Sequence, residues 1–116
     1  MTTNLVKNIN LQMEQIRAFC QRWQIVEFGL FGSVLRSDFR PDSDIDCLVT
    51  FAPESQNSLI DLVTMEWELE DILSRKIDLL TRRSVTDSPN WIRRKEILNT
   101  VQVIYEKRSS LSGTYT

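Results

Sequence analysis

The sequence predicts an α+β fold in which one domain builds a mixed β-sheet of about four strands and packs helices on it. Three observations carry this reading. Apolar residues keep helical spacing over two long segments, near residues 5–22 and 58–74. Four short segments, 25–31, 44–51, 76–80 and 101–105, have strand composition, rich in apolar, β-branched and aromatic residues. The second strand follows the first after a turn, whereas the third and fourth each follow a segment read as helical or as a helix start.

Bulk properties agree. A chain of 116 residues suits a single compact domain that buries roughly 65% of its unfolded surface, with little room for a second. Hydrophobic residues make up 41% and charged residues 26%, the balance of a globular protein with a packed core. No apolar run approaches the roughly 20 residues that span a bilayer, and the start MTTNLVKNINLQMEQ is too polar for a signal peptide, so the expected compartment is the cytoplasm. Histidine is absent and only Cys20 and Cys47 are present, which excludes Cys/His zinc sites and histidine acid/base catalysis. Both cysteines lie inside apolar patterns and are expected as buried free thiols. A net charge of −2 gives no general attraction to nucleic acid, so direct nucleic-acid binding is not expected.

The elements follow in order. Ile9, Met13, Ile16, Cys20 and Trp23 recur at steps of four and three, which puts them on one face of an amphipathic helix over about residues 5 to 22. Ile25-Val26-Glu27-Phe28-Gly29-Leu30-Phe31 ends at Gly32 and reads as a mostly buried strand with Gly32-Ser33 as its exit. Ser33 caps a short helical turn over Val34 to Asp38, and Arg40-Pro41-Asp42-Ser43 has the composition of a turn. In the next strand Ile45, Cys47, Val49 and Phe51 alternate with Asp44, Asp46, Leu48 and Thr50, and the period of two sends both aspartates to one face.

Ser58 and Asp61 have capping-box spacing, with Asp where Glu or Gln is usual, and Leu62, Met65, Leu69, Ile72 and Leu73 keep helical spacing behind them. This predicts a helix over about 58 to 74. Lys76-Ile77-Asp78-Leu79-Leu80 is the third strand, Ser88-Pro89 reads as an N-cap with proline at the first helical position, and Val101 to Tyr105 is the fourth strand. The domain is expected over residues 1–108, with a frayed tail at 109–116. No repeat, low-complexity tract or linker divides it.

The chemistry concentrates between Phe31 and Asp46. Gly32 lets backbone come close to a phosphate, Ser33 can donate its hydroxyl, and the amides of a helix start favour an anion. Two aspartates at i and i+2 on one strand face are hard oxygen ligands with room for one or two magnesium ions, which bind substrate phosphates. Such crowded like charges repel, and a divalent ion offsets the repulsion. Taken alone, an Asp-x-Asp is equally consistent with a turn residue followed by a solvated edge-strand residue.

The combination of a strand, Phe31-Gly32-Ser33, ten intervening residues and then Ser43-Asp44-Ile45-Asp46 opening a second strand resembles the defining motif of the polymerase beta-like nucleotidyltransferase superfamily. With the later Ile77-Asp78-Leu79-Leu80, over about residues 5 to 106, it resembles in particular the minimal nucleotidyltransferases (MNT), the MntA-type antitoxins of HEPN/MNT toxin–antitoxin systems. The resemblance implies a single-domain nucleotidyltransferase fold with Asp44, Asp46 and Asp78 as metal ligands. It further implies Asp78 as base for the incoming hydroxyl and Gly32 and Ser33 as triphosphate contacts. Arg36 matches a family arginine and is a candidate phosphate contact, although a solvated surface role suits it equally. Val34 and Ser37 depart from the usual wording, in which a basic residue follows Gly-Ser and a glycine follows the arginine.

The resemblance implies magnesium-dependent transfer of AMP from ATP to a tyrosine of a HEPN-domain ribonuclease, with the chain as antitoxin in a hetero-oligomer. Two other readings stay open: an antitoxin that neutralises by binding alone, and nucleotidylation of a small molecule such as an aminoglycoside. Outside the motif, Arg82, Arg83, Arg93, Arg94 and Lys95 form a basic group opposite in sign to the helix at 61–71. It reads as a solvated face, a triphosphate contact or a docking surface. Trp23, Trp67 and Trp91 are expected in the core or at its rim.

Overall fold

Helix α1 (Met13–Arg22) turns Ile16, Phe19 and Cys20 inward. It leads through Trp23-Gln24 into β1 (Ile25–Phe31), which passes directly into a single 3-10 turn over Gly32–Leu35. Strand β2 is Ile45–Phe51, helix α2 is Leu59–Leu73 and strand β3 is Ile77–Thr81. Two short helices, α3 (Arg82–Thr86) and α4 (Trp91–Thr100), precede β4 (Gln102–Glu106). The structure is a computed structural model that describes residues 12–35, 40 and 43–107. The first part of the predicted opening helix, Arg36 and the tail at 109–116 lie outside the described residues, as does the side chain of Ser33.

The sheet runs in the order β3-β2-β1-β4 and is mixed, as expected. Strand β1 pairs antiparallel with both β2 and β4, while β2 and β3 are parallel. Alternation divides the interior in two. Phe28 and Leu30 of β1, Ile45, Cys47 and Val49 of β2 and Ile77 of β3 join Ile16, Phe19 and Cys20 of α1 and Met65, Leu69 and Leu73 of α2 in the larger core. A register shift between Ile25 and Glu27 resets the alternation, which is why Ile25 also reaches that core. On the opposite face, Phe31 and Leu48 pack with Val85 of α3 and Ile97 of α4 in a smaller core. Gly29 makes that face close-fitting, since a β-carbon there would stand 2.7 Å from the Val101 Cγ2.

Strand β3 is an edge, and α2 satisfies part of it. Glu66 and Glu70, one helical turn apart, accept from the backbone N–H groups of Leu79 (3.1 Å) and Ile77 (3.4 Å). Such side-chain cover blunts an edge that would otherwise pair with another strand. The capping box at Ser58 and Asp61 forms in both directions, at 3.2 and 3.0 Å. Both cysteines are buried and free. Burial pushes the Cys20 thiol up to about 12.

Three expectations need correction. The cap of α4 is Asn90, whose Oδ1 accepts from the Arg93 N–H at 3.1 Å, and not Ser88. Ser88 is still closing the preceding turn, with its N–H on the Val85 carbonyl and its hydroxyl accepting from the Asn90 N–H. Helix α3 has no counterpart in the sequence reading, because five residues opening on Arg82-Arg83 carry no apolar period. Trp67 and Trp91 are neither core nor rim, at 64% and 59% exposed. Trp23 is half-buried and donates its indole N–H to Glu68 at 2.8 Å. Among the described residues no helix is long and apolar enough to cross a membrane.

Candidate active site

The register of the sheet places the carboxylates. Phe31 of β1 lies opposite Asp46 of β2, and Asp46 lies opposite Asp78 of β3, so these residues form one row across three strands. The next row on the same face, Gly29, Leu48 and Leu80, is the apolar floor under α3 and α4. Further along, Glu27 and Thr50 are opposite each other and both receive Arg82, at 2.8 and 3.1 Å. The face is thus graded from a row of carboxylates, through an apolar row, to a neutralised polar row. Period-two geometry makes this possible, because the aspartates share a face with Leu48 and Leu80 and turn away from the larger core.

Asp44 stands immediately ahead of β2 and is exposed, as is Asp78. Asp46 is half-buried. Its carboxyl is raised above the ordinary aspartate range, first by burial, then by the charges of Asp78 and Asp44, against a lowering by Arg93. The charges of both neighbouring aspartates thus bear on Asp46, the kind of crowding that a divalent cation offsets. Among the described residues no three His, Cys, Asp or Glu side chains gather closely enough to hold an ion by themselves. The donor set nevertheless fits magnesium, a hard cation that keeps waters and shares its shell with substrate phosphates rather than sitting in an all-protein cage.

The loop carrying Asp44 is tied down from behind. Arg75, just after α2, donates to the carbonyls of Arg40 (2.9 Å) and Ser43 (2.7 Å), and the Ile45 N–H bonds to the Lys76 carbonyl at 2.8 Å.

Gly32 adopts φ +80°, a region that suits glycine. The Asp46 carboxylate lies against its α-carbon, where a β-carbon would overlap Oδ2. The strand exit and the Asp46 carboxylate are therefore fitted to each other. Both open on a cavity of about 420 Å³ lined by Phe31, Gly32, Leu35 and Asp46 on the sheet side. The other side is α4, through Arg93, Glu96, Ile97 and Thr100. Sequence reasoning did not single out Glu96 or Thr100, and it saw Arg93 only as one member of a basic group. That group disperses in the fold. Arg82 pairs with Glu27, Arg83 stands 3.9 Å from Asp87, and Arg94 donates to the Ser88 carbonyl.

Comparison with known proteins identifies the family. The sequence pattern of the family described as "Nucleotidyltransferase domain" matches residues 13–104. A candidate protein adenylyltransferase of Methanocaldococcus jannaschii is 36% identical over 78 residues, covering 67% of this chain and 82% of that protein. The protein adenylyltransferase MntA of Thermococcus cleftensis is 37% identical over 65 residues, 56% of this chain and 64% of that protein. Among solved structures, a candidate minimal nucleotidyltransferase superimposes with a TM-score of 0.60 at 30% identity, covering 77% of this chain and 85% of that one. A toxin–antitoxin complex with AMP-PNP shares the fold, with a TM-score of 0.65 at 19% identity over 84% of this chain and 76% of the other. A family pattern that runs from the first described helix into the last strand, and a relative 36% identical over two thirds of the chain, settle the matter: this chain belongs to the nucleotidyltransferase domain family.

Proposed function

We propose that the chain is a magnesium-dependent protein adenylyltransferase that transfers AMP from ATP to a hydroxyl of a partner protein, a tyrosine of a cognate HEPN ribonuclease, and so acts as its antitoxin. The observation that carries this is the row of Asp46 and Asp78 beside the exit of β1, where Gly32 and Asp46 open on one cavity. The relatives named protein adenylyltransferase and the toxin–antitoxin structures of the same fold support the acceptor class.

Asp44, Asp46 and Asp78 would hold the metal. Magnesium, when bound, supplies positive charge to the phosphate oxygens and to the attacking and leaving oxygens. The rest falls to the chain. The backbone at Gly32, with the Ser33 hydroxyl and Arg36, holds the triphosphate, which positive φ at Gly32 allows to come close. The Asp78 carboxylate accepts the proton of the attacking hydroxyl as its oxygen bonds to the α-phosphorus. The bond from that phosphorus to the bridging oxygen breaks, and pyrophosphate leaves. Positioning and electrostatics do most of the catalysis, so no histidine is required.

Incubation with labelled ATP, magnesium and the product of the neighbouring gene, followed by mapping of the label, tests the proposal. Label on a tyrosine of the partner, lost in the Asp44→Asn, Asp46→Asn double variant, is the expected result. Equal labelling by that variant would sink it. Full neutralisation of the partner by the unlabelling variant would instead favour an antitoxin that works by binding alone.

A further inference from the structure

The wall of the cavity that faces the carboxylates belongs to α4. Arg93, Glu96, Ile97 and Thr100 follow at helical spacing and line it together. Arg93 sits in the first turn of this 10-residue helix, at the end where the backbone dipole favours negative charge. Among the described residues its side chain is in no ion pair, although every other arginine of α3 and α4 has a partner. Its charge is nonetheless felt at Asp46, which places the guanidinium within electrostatic reach of the metal-side carboxylate. A second cavity, of about 150 Å³, meets the first at Arg93 and Ile97.

Charge is therefore sorted along the wall. The cation stands at the start of the helix, and a carboxylate and a hydroxyl, Glu96 and Thr100, follow. An anion is favoured at the first position and repelled at the second, where hydroxyl or amino groups are better partners. Phe31, Leu35 and Ile97 supply apolar surface between the two walls. A volume of about 420 Å³ lies within the range of small-ligand sites.

We infer that α4 is the second wall of the nucleotide site, with Arg93 binding the β- and γ-phosphates of the triphosphate opposite Gly32 and Asp46, and Glu96 and Thr100 facing the nucleoside. This rests on the nucleotidyltransferase reading of the cavity. A guanidinium offers two parallel N–H donors to a phosphate, a geometry that lysine lacks.

The test is the affinity of the full chain for Mg-ATP and for AMP, measured by calorimetry on wild type, Arg93→Ala and Arg93→Lys. Loss of a charge-assisted contact predicts a Kd for Mg-ATP raised roughly tenfold or more in R93A, with R93K intermediate. The Kd for AMP, which lacks the β- and γ-phosphates, is expected to change less than about twofold on the same reasoning. The melting temperature of ligand-free R93A is expected to match wild type, which separates phosphate binding from a structural service to Asp46. Equal affinity of R93A and wild type for Mg-ATP would overturn the inference alone. A wild-type chain that binds no nucleoside triphosphate would overturn the nucleotidyltransferase reading and the inference with it.

Discussion

At the scale of single residues, Asp46 stands between fold and function. Its folded-state carboxyl is raised by burial and by Asp78 and Asp44. The folded state therefore favours the protonated form, a contribution that is full below the ordinary aspartate range and lost as pH rises through the raised value. At neutral pH the ionised group is a cost to the metal-free protein. Asp46→Asn is accordingly expected to melt no lower than wild type in metal-free buffer, while on the proposed function transfer falls by about 100-fold or more. A marked drop in melting temperature would contradict that account. On the proposed function, metal binding should weaken on acidification, because a protonated Asp46 would be a poor ligand for a hard cation and its carboxyl in the metal-free protein is already raised. Gly32 answers to the same contact. Gly32→Ala combines a positive φ of +80° with overlap on the Asp46 Oδ2, for an expected cost of about 1–3 kcal/mol by chemical denaturation and loss of activity.

At the scale of elements, α2 both fills the larger core and covers the β3 edge. Removing the acceptor in Glu66→Ala leaves the Leu79 N–H without its 3.1 Å partner. The expected loss is about 0.5–1.5 kcal/mol, with Glu66→Gln closer to wild type because an amide oxygen still accepts. Equal losses in the two variants would show that the contact is not a hydrogen bond to the edge. The start of α4 offers a comparison of two candidate caps. Asn90→Ala should cost about 1 kcal/mol and Ser88→Ala less, since only Asn90 accepts from the third amide of the helix. The cap also decides where the first turn of α4, and hence Arg93, begins.

At the scale of the whole molecule, the strand order decides which residues meet. Because β2 lies between β1 and β3, the strand bearing Asp46 touches both the Gly32 exit and the strand bearing Asp78. A ligand that binds only this folded arrangement stabilises it by mass action. Mg-ATP should raise the melting temperature of wild type in proportion to the logarithm of its concentration, and should fail to do so in the Asp44→Asn, Asp46→Asn variant. The two thiols report on the same fold. Burial and, at Cys20, a thiol pushed up to about 12 predict negligible reaction with a thiol reagent at neutral pH until the domain unfolds.

Local signals determined much of this in advance. The alternation of Ile45, Cys47 and Val49 against Asp46 fixed the faces of β2, and the Ile25–Phe31 run gave β1 its full extent. The Ser58 and Asp61 capping box marked the start of α2. The words Gly32-Ser33, Asp44-x-Asp46 and Ile77-Asp78 marked the candidate residues through the family they resemble, and the fold sets Gly32, Asp46 and Asp78 side by side. What the residues by themselves left open, apart from what the family resemblance implied for Asp78, was how distant segments meet. The pairing of Asp46 with Asp78 follows from a parallel register 32 residues apart. The fit of Gly32 to the Asp46 carboxylate follows from β1 and β2 lying side by side. Only tertiary packing distinguished Arg93, which lines the cavity, from Arg82, which pairs with Glu27. In a basic group each member looks alike along the chain, and the physical difference between them is which neighbour the fold brings within reach.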